Sequence, residues 1–88
     1  MLKIQKSTDG NVVVFTLSGR IKAKHVAELQ QLLEGEADEH SVVLDLHEVK
    51  LVDRDVVSFL VGREAGGITL VNCPAYIREW IDREAGAN

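Results

Sequence analysis

The chain has 88 residues, 45% of them apolar, and its charges sum to −4 at neutral pH. That is the size of one small domain, expected to run from residue 1 to 88, and mixed charge signs with a single proline exclude disordered, collagenous and disulfide-stapled classes. The acidic balance excludes nucleic acid as an expected partner, because nonspecific binding to a phosphate backbone needs a basic surface.

The first residues alternate, with Leu2 and Ile4 against Lys3 and Gln5. Asp9-Gly10-Asn11 then interrupts, and Val12 to Leu17 is rich in β-branched and aromatic residues, so a β-hairpin is predicted. From Lys22 the period lengthens: Val26, Leu29, Leu32 and Leu33 form the apolar stripe of a helix that Gly35 should stop. The acids Glu34, Glu36, Asp38 and Glu39 read as a solvated loop after it. Ser41 to Leu46 is a near-continuous apolar run that suits a central parallel strand. A second helix is expected to begin near Asp53 or Asp55, turn Val56, Val57, Leu60 and Val61 inward, and end at Gly66-Gly67. Ile68 to Val71 should be a fourth strand, and Pro74 opens a last helix carrying Ile77, Trp80 and Ile81, with Trp80 in the core. The predicted order is ββαβαβα, an α/β fold with a four-stranded mixed sheet built from a hairpin and two β-α-β crossovers, plus three helices.

Parallel crossovers are almost always right-handed, which places the C-terminal ends of strands two, three and four on one rim, where open α/β sheets usually bind. Segments 18–25, 47–55 and 72–74 are the loops expected there. Arg20, Lys22, Lys24 and His25 gather at the start of the first helix without an acid among them, an arrangement costing roughly 0.3 to 1 kcal/mol per exposed cation against the helix dipole. Two readings stay open: an anion or acidic-partner site, or solvated lysines facing the acids of segment 47–55. Asp45 should point to the loop-covered or less buried face of its strand.

Catalytic and metal constellations find little support. His25, His40 and His47 lack the spacing of a zinc site, and no glycine-rich loop precedes a helix. Cys73 falls just before the last helix, where a dipole lowers a thiol pKa, but filling the turn is the simpler role. No cofactor, metal or catalytic residue is expected. The longest apolar run, Val12 to Phe15, is far short of the ~20 residues of a spanning helix, so no membrane insertion is expected. Neither is a secretory leader, since Met1-Leu2-Lys3-Ile4 enters the alternating pattern directly. A lone cysteine fits a reducing cytoplasm.

The stretch VVLDLHEVKLVDRDVVSFL, residues 42–60, resembles the STAS family of anti-sigma factor antagonists and sulphate-transporter tails, where a strand of the type vvLDLs precedes v.fiDSSGl at a helix start. VVVFTLSGRI is similar to the family's second strand, and GGITLVNCPAYIREWI to its "GG.l.lvn..p.vr..l" segment, so the likeness extends over nearly the whole chain. It implies a non-enzymatic bacterial regulator of transcription, cytoplasmic, whose relatives are phosphorylated on the second serine of DSSG by a kinase that is also the anti-sigma factor. Here that motif reads Asp53-Arg54-Asp55-Val56, so the phosphoacceptor is absent and Asp55 stands in its place, with Ser58 the nearest hydroxyl. The segment from Asp53 to Gly66 is about one turn shorter than the family's usual, and the strand and helix that many members add after the Trp80 helix are missing. The fourth strand is then an open edge, which leads to an expectation of dimerisation or docking.

The implied partner is a protein, either an anti-sigma kinase or, for a STAS subunit of a lipid or solute transporter, an ABC ATPase. Its binding rim would comprise Arg20, Lys22, Lys24, His25, Asp53, Arg54, Asp55 and Val56. Asp55 would carry a fixed charge where relatives carry a switchable phosphate, while Asp53 or Asp55 could equally be a helix N-cap. A small anion-binding domain or enzyme using Arg20, Lys22 and Cys73 is the alternative from another class.

Overall fold

A computed structural model describes residues 2–37 and 41–86. The hairpin forms as expected: β1 (Leu2–Asp9) pairs antiparallel with β2 (Val12–Ile21). Asp9 faces Val12, leaving Gly10 and Asn11 as a two-residue turn. Gly10 takes φ 62° at the first turn position, which glycine adopts without a steric penalty. A 3-10 turn (Ala23–His25) then leads into α1 (Val26–Ala37), followed by β3 (Ser41–Val52), α2 (Arg54–Ala65), β4 (Thr69–Val71) and α3 (Ala75–Ala85).

The sheet order is β1-β2-β3-β4, with β2, β3 and β4 parallel. Both crossovers step in the same direction, so right-handedness puts α1 and α2 on one face. Burial agrees. Val13, Phe15 and Leu17 of β2 and Val42, Leu44 and Leu46 of β3 are buried, whereas the alternating residues Val12, Val14, Thr16, Val43 and Asp45 are only partly buried on the other face. Leu29 and Leu33 of α1, Val56, Val57 and Leu60 of α2, and Ile77 and Ile81 of α3 close the core.

Several boundaries differ from expectation. α1 runs through Gly35 to Ala37, so Glu34 and the backbone of residue 36 are helical; Asp38, Glu39 and His40 lie outside the described residues. Gly35 does not stop the helix because nothing there requires a left-handed backbone. Leu32 is 37% exposed, since the buried stripe is carried by Leu29 and Leu33, four residues apart, and Leu32 lies beside it. Trp80 is only partly buried and packs against the core from its margin, because Ile77 and Ile81 already occupy the inward line of α3.

The largest difference concerns segments 18–25 and 47–55. β2 continues to Ile21 and β3 to Val52, so most of both segments is strand. They pair past two irregularities: Thr16 faces Asp45 but Ser18 faces Glu48, and Gly19 faces Val49 but Arg20 faces Leu51. β3 therefore accommodates one extra residue at each step. Gly19, at φ 87°, supplies the left-handed backbone beside the second step.

Candidate functional site

β2 and β3 end together, with Ile21 opposite Val52, and the chain leaves both strands at one corner. The Asp53 N–H donates to the Ile21 carbonyl at 3.2 Å. The Asp53 carboxylate accepts from the Ala23 N–H at 3.0 Å. Asp53 occupies the N-cap position of α2 with extended backbone, yet makes no side-chain bond to that helix. Its carboxylate instead satisfies the first N–H of the neighbouring 3-10 turn, so one residue clamps segments 20–25 and 53–55 together. The expectation of a simple cap thus holds for position but not for bonding.

His25 also serves the corner. Its Nδ1 accepts the Lys22 N–H at 2.9 Å, and its own N–H donates to the Lys22 carbonyl at 2.8 Å. Accepting at Nδ1 leaves the ring proton on Nε2. Around this turn lies an open cleft of about 310 Å³ lined by Leu2, Arg20, Lys22, Lys24 and His25. The four cationic or titratable residues read from the sequence are thus brought together. Arg20, Lys22 and Lys24 are exposed, and none forms an ion pair among the described residues. Facing the acids of segment 47–55 does not neutralise them: Glu48 contacts His47 Nε2 at 3.0 Å, and Asp53 is taken by Ala23.

The remaining rim residues divide. Asp55 is exposed in the first turn of α2, where a carboxylate is favourable with the dipole. Arg54 points away, its Nε lying 3.6 Å from Glu84 Oε1 of α3. Val56 is fully buried and belongs to the core, so its side chain offers nothing to a partner. Two residues were missed: Leu2, which lines the cleft, and Leu51, an apolar side chain 52% exposed and paired in register with Arg20. The signal for Leu51 was the spacing of Leu46, Val49 and Val52, every third residue buried, which leaves Lys50 and Leu51 both outward.

Elsewhere the chemistry is structural. Asp45, half-buried, accepts from the His47 N–H at 3.1 Å and the Asn72 side chain at 3.4 Å. Arg78 grips Glu64 through two 2.8 Å bonds and Asp82 through two more, of 2.7 and 3.1 Å. The bonds from Arg78 hold the Glu64 carboxyl below its ordinary value. Burial pushes the Cys73 thiol up, the opposite of nucleophile activation. Among the described residues no group of three His, Cys, Asp or Glu side chains gathers as metal ligands would, and no helix is long and apolar enough to cross a membrane.

Residues 4–82 match the family described as "Mlab, STAS domain". The chain belongs to the STAS family. Its fold is shared with the anti-sigma factor antagonist SpoIIAA in its unphosphorylated form, at TM-score 0.69 and 14% identity over 94% of this chain and 83% of that one. A STAS domain of an antisigma-factor antagonist from Rhodobacter sphaeroides gives TM-score 0.57 and 18% identity over 82% of this chain and 85% of the other. An uncharacterized protein of the DUF3478 family from Shewanella loihica PV-4, with a SpoIIAA-like fold, gives 0.59 and 14% over 98% of this chain and 77% of that chain. No curated protein matches the STAS chain by sequence. The ββαβαβα order and the mixed sheet are those of the SpoIIAA-like fold.

Proposed function

We propose that this STAS domain is a non-enzymatic cytoplasmic regulator that binds a protein partner through the corner formed by residues 20–25 and 53–55. The observation that carries the reading is the Asp53–Ala23 hydrogen bond. It joins the cationic cleft to the start of α2, so Arg20, Lys22, Lys24 and Asp55 belong to one continuous surface. The likeness to anti-sigma factor antagonists supports a role in partner exchange, with an anti-sigma kinase as the partner class.

Asp55 supplies a permanent charge to this surface, since segment 53–56 contains no hydroxyl. The absence of an acceptor there equally supports a second reading, a subunit docked on an ABC ATPase, which needs no phosphorylation. Incubation with ATP and a serine kinase of the anti-sigma type, followed by mass spectrometry, should find no phosphate on segment 53–56. Stoichiometric phosphoserine at the exposed Ser58 would place the switch on α2 and overturn the fixed-charge reading.

The docking surface is tested by photo-crosslinking in cells from Lys24 and Asp55, with Gln30 on the outer side of α1 as control. Crosslinks to one protein from both rim positions, and none from Gln30, are expected. A partner caught only from Gln30 would refute the rim. Identification of that protein as a kinase or as an ATPase separates the two partner classes.

A further inference from the structure

The cleft and Leu51 together carry more than a location. Arg20 lines the cleft and is also the register partner of Leu51, so guanidinium and exposed leucine stand side by side on adjacent strands. Ile21 and Val52, the next pair, are buried, which turns Arg20 and Leu51 away from the core. Leu2 adds a second apolar element inside the cleft. Three exposed cations without acid partners among the described residues line the cleft with Leu2, and Leu51 adjoins one of them, Arg20, in register, on a chain whose total charge is −4. An apolar anchor beside arginine, ringed by polar groups, is the composition of an interface centre.

We infer that the occupant is an acidic segment of a partner protein carrying one apolar side chain, which seats beside Leu51 while its carboxylates meet Arg20, Lys22 and Lys24. This rests on the docking reading and specifies the partner's chemistry. Among the described residues no polar or charged side chain is buried, so the cleft lacks the enclosed donors that hold a small anion, and its cations sit on long solvated stems. A concave cleft also fits a polypeptide better than a planar bilayer.

The test is an amide NMR titration of the folded protein with two short synthetic peptides, each alternating glutamate and aspartate around a central leucine or a central glycine. The leucine peptide should perturb residues 2, 18–25 and 49–52, and its affinity should fall steeply as salt rises. Leu51→Ala and, separately, the pair Lys22→Glu and Lys24→Glu should each weaken it about tenfold, with spectra confirming an unchanged fold. The glycine peptide should bind about tenfold more weakly. Equal binding of both peptides, perturbation away from the corner, or no binding at millimolar peptide would each overturn the inference. Pyrophosphate or phosphatidylserine vesicles binding the same amides more tightly than the peptide would overturn it in favour of a small anion or a membrane. Rim crosslinks to a partner, with no peptide binding, would sink the acidic-anchor inference and leave the docking reading standing.

Discussion

At the scale of single residues, Asp53 is the one whose role depends most on geometry that no sequence pattern displays. An aspartate just before a helix reads as a cap, and the position was legible. Its bond to Ala23, across a separation of 30 residues, was not, because it depends on two strands ending in register. Asp53→Ala should cost about 1 kcal/mol in urea denaturation and speed exchange of the Ala23 amide, while Asp53→Asn, which keeps an acceptor oxygen, should recover much of both. Unchanged exchange at Ala23 in the alanine variant would count against the clamp. Glu64 offers a pH test. Because Arg78 holds its carboxyl below the ordinary 4.5, the stabilisation is fully present above about pH 4.5 and is lost as pH falls through the depressed value. With 37% of the Glu64 side chain exposed, the loss should not exceed about 1 kcal/mol, and Glu64→Gln should abolish that part of the acid dependence of stability.

At the scale of elements, turns and core stripes were readable because short-range chemistry decides them. Gly10 is an example: a Cβ there would meet nothing within 4 Å, yet φ is +62°. Gly10→Ala should therefore destabilise by about 1 kcal/mol through backbone strain alone. Gly62 is the opposite case, an exposed glycine within α2 with open space around it. Gly62→Ala should stabilise by about 0.5 to 1 kcal/mol, seen as a rise in Tm. Trp80→Ala should cost about 1 to 3 kcal/mol, less than for a fully enclosed tryptophan, because Trp80 sits at the core margin. The second half of β3 escaped sequence reading for a definite reason. His47-Glu48-Val49-Lys50-Leu51-Val52 buries every third residue, a period that belongs to neither a regular strand nor a helix, so polar pairs looked like a loop.

For the whole molecule, the order of elements and the family were legible because the motifs succeed one another along nearly the whole chain. The cationic cluster was legible as composition, but Leu51 as its neighbour was not, since strand register brings it there. Reversing Arg20, Lys22 and Lys24 together should leave Tm nearly unchanged, because exposed charges contribute little to stability, while abolishing partner binding. A large drop in Tm would mean that the cluster supports the fold instead. Dimerisation has few backbone groups to use at the β4 edge, which is three residues long, and the β1 edge carries Lys3 and Lys6. Sedimentation at micromolar concentration should therefore give a monomer.

The two extra residues of β3 also bear on how such a surface can change over generations. In the regular part of the strand one side chain in two faces outward; at each irregularity two consecutive ones do, His47 with Glu48 and Lys50 with Leu51. Removing one residue of either pair restores plain alternation and keeps Val49 and Val52 on the inner face. Loss of a single codon here redraws the exterior without touching the interior, whereas the same loss in β2, whose buried residues Val13, Phe15 and Leu17 follow a strict period of two, would turn the strand inside out. Length variation among descendants of this gene should therefore collect in β3 and spare β2, so that new partners are acquired by deletion as readily as by substitution.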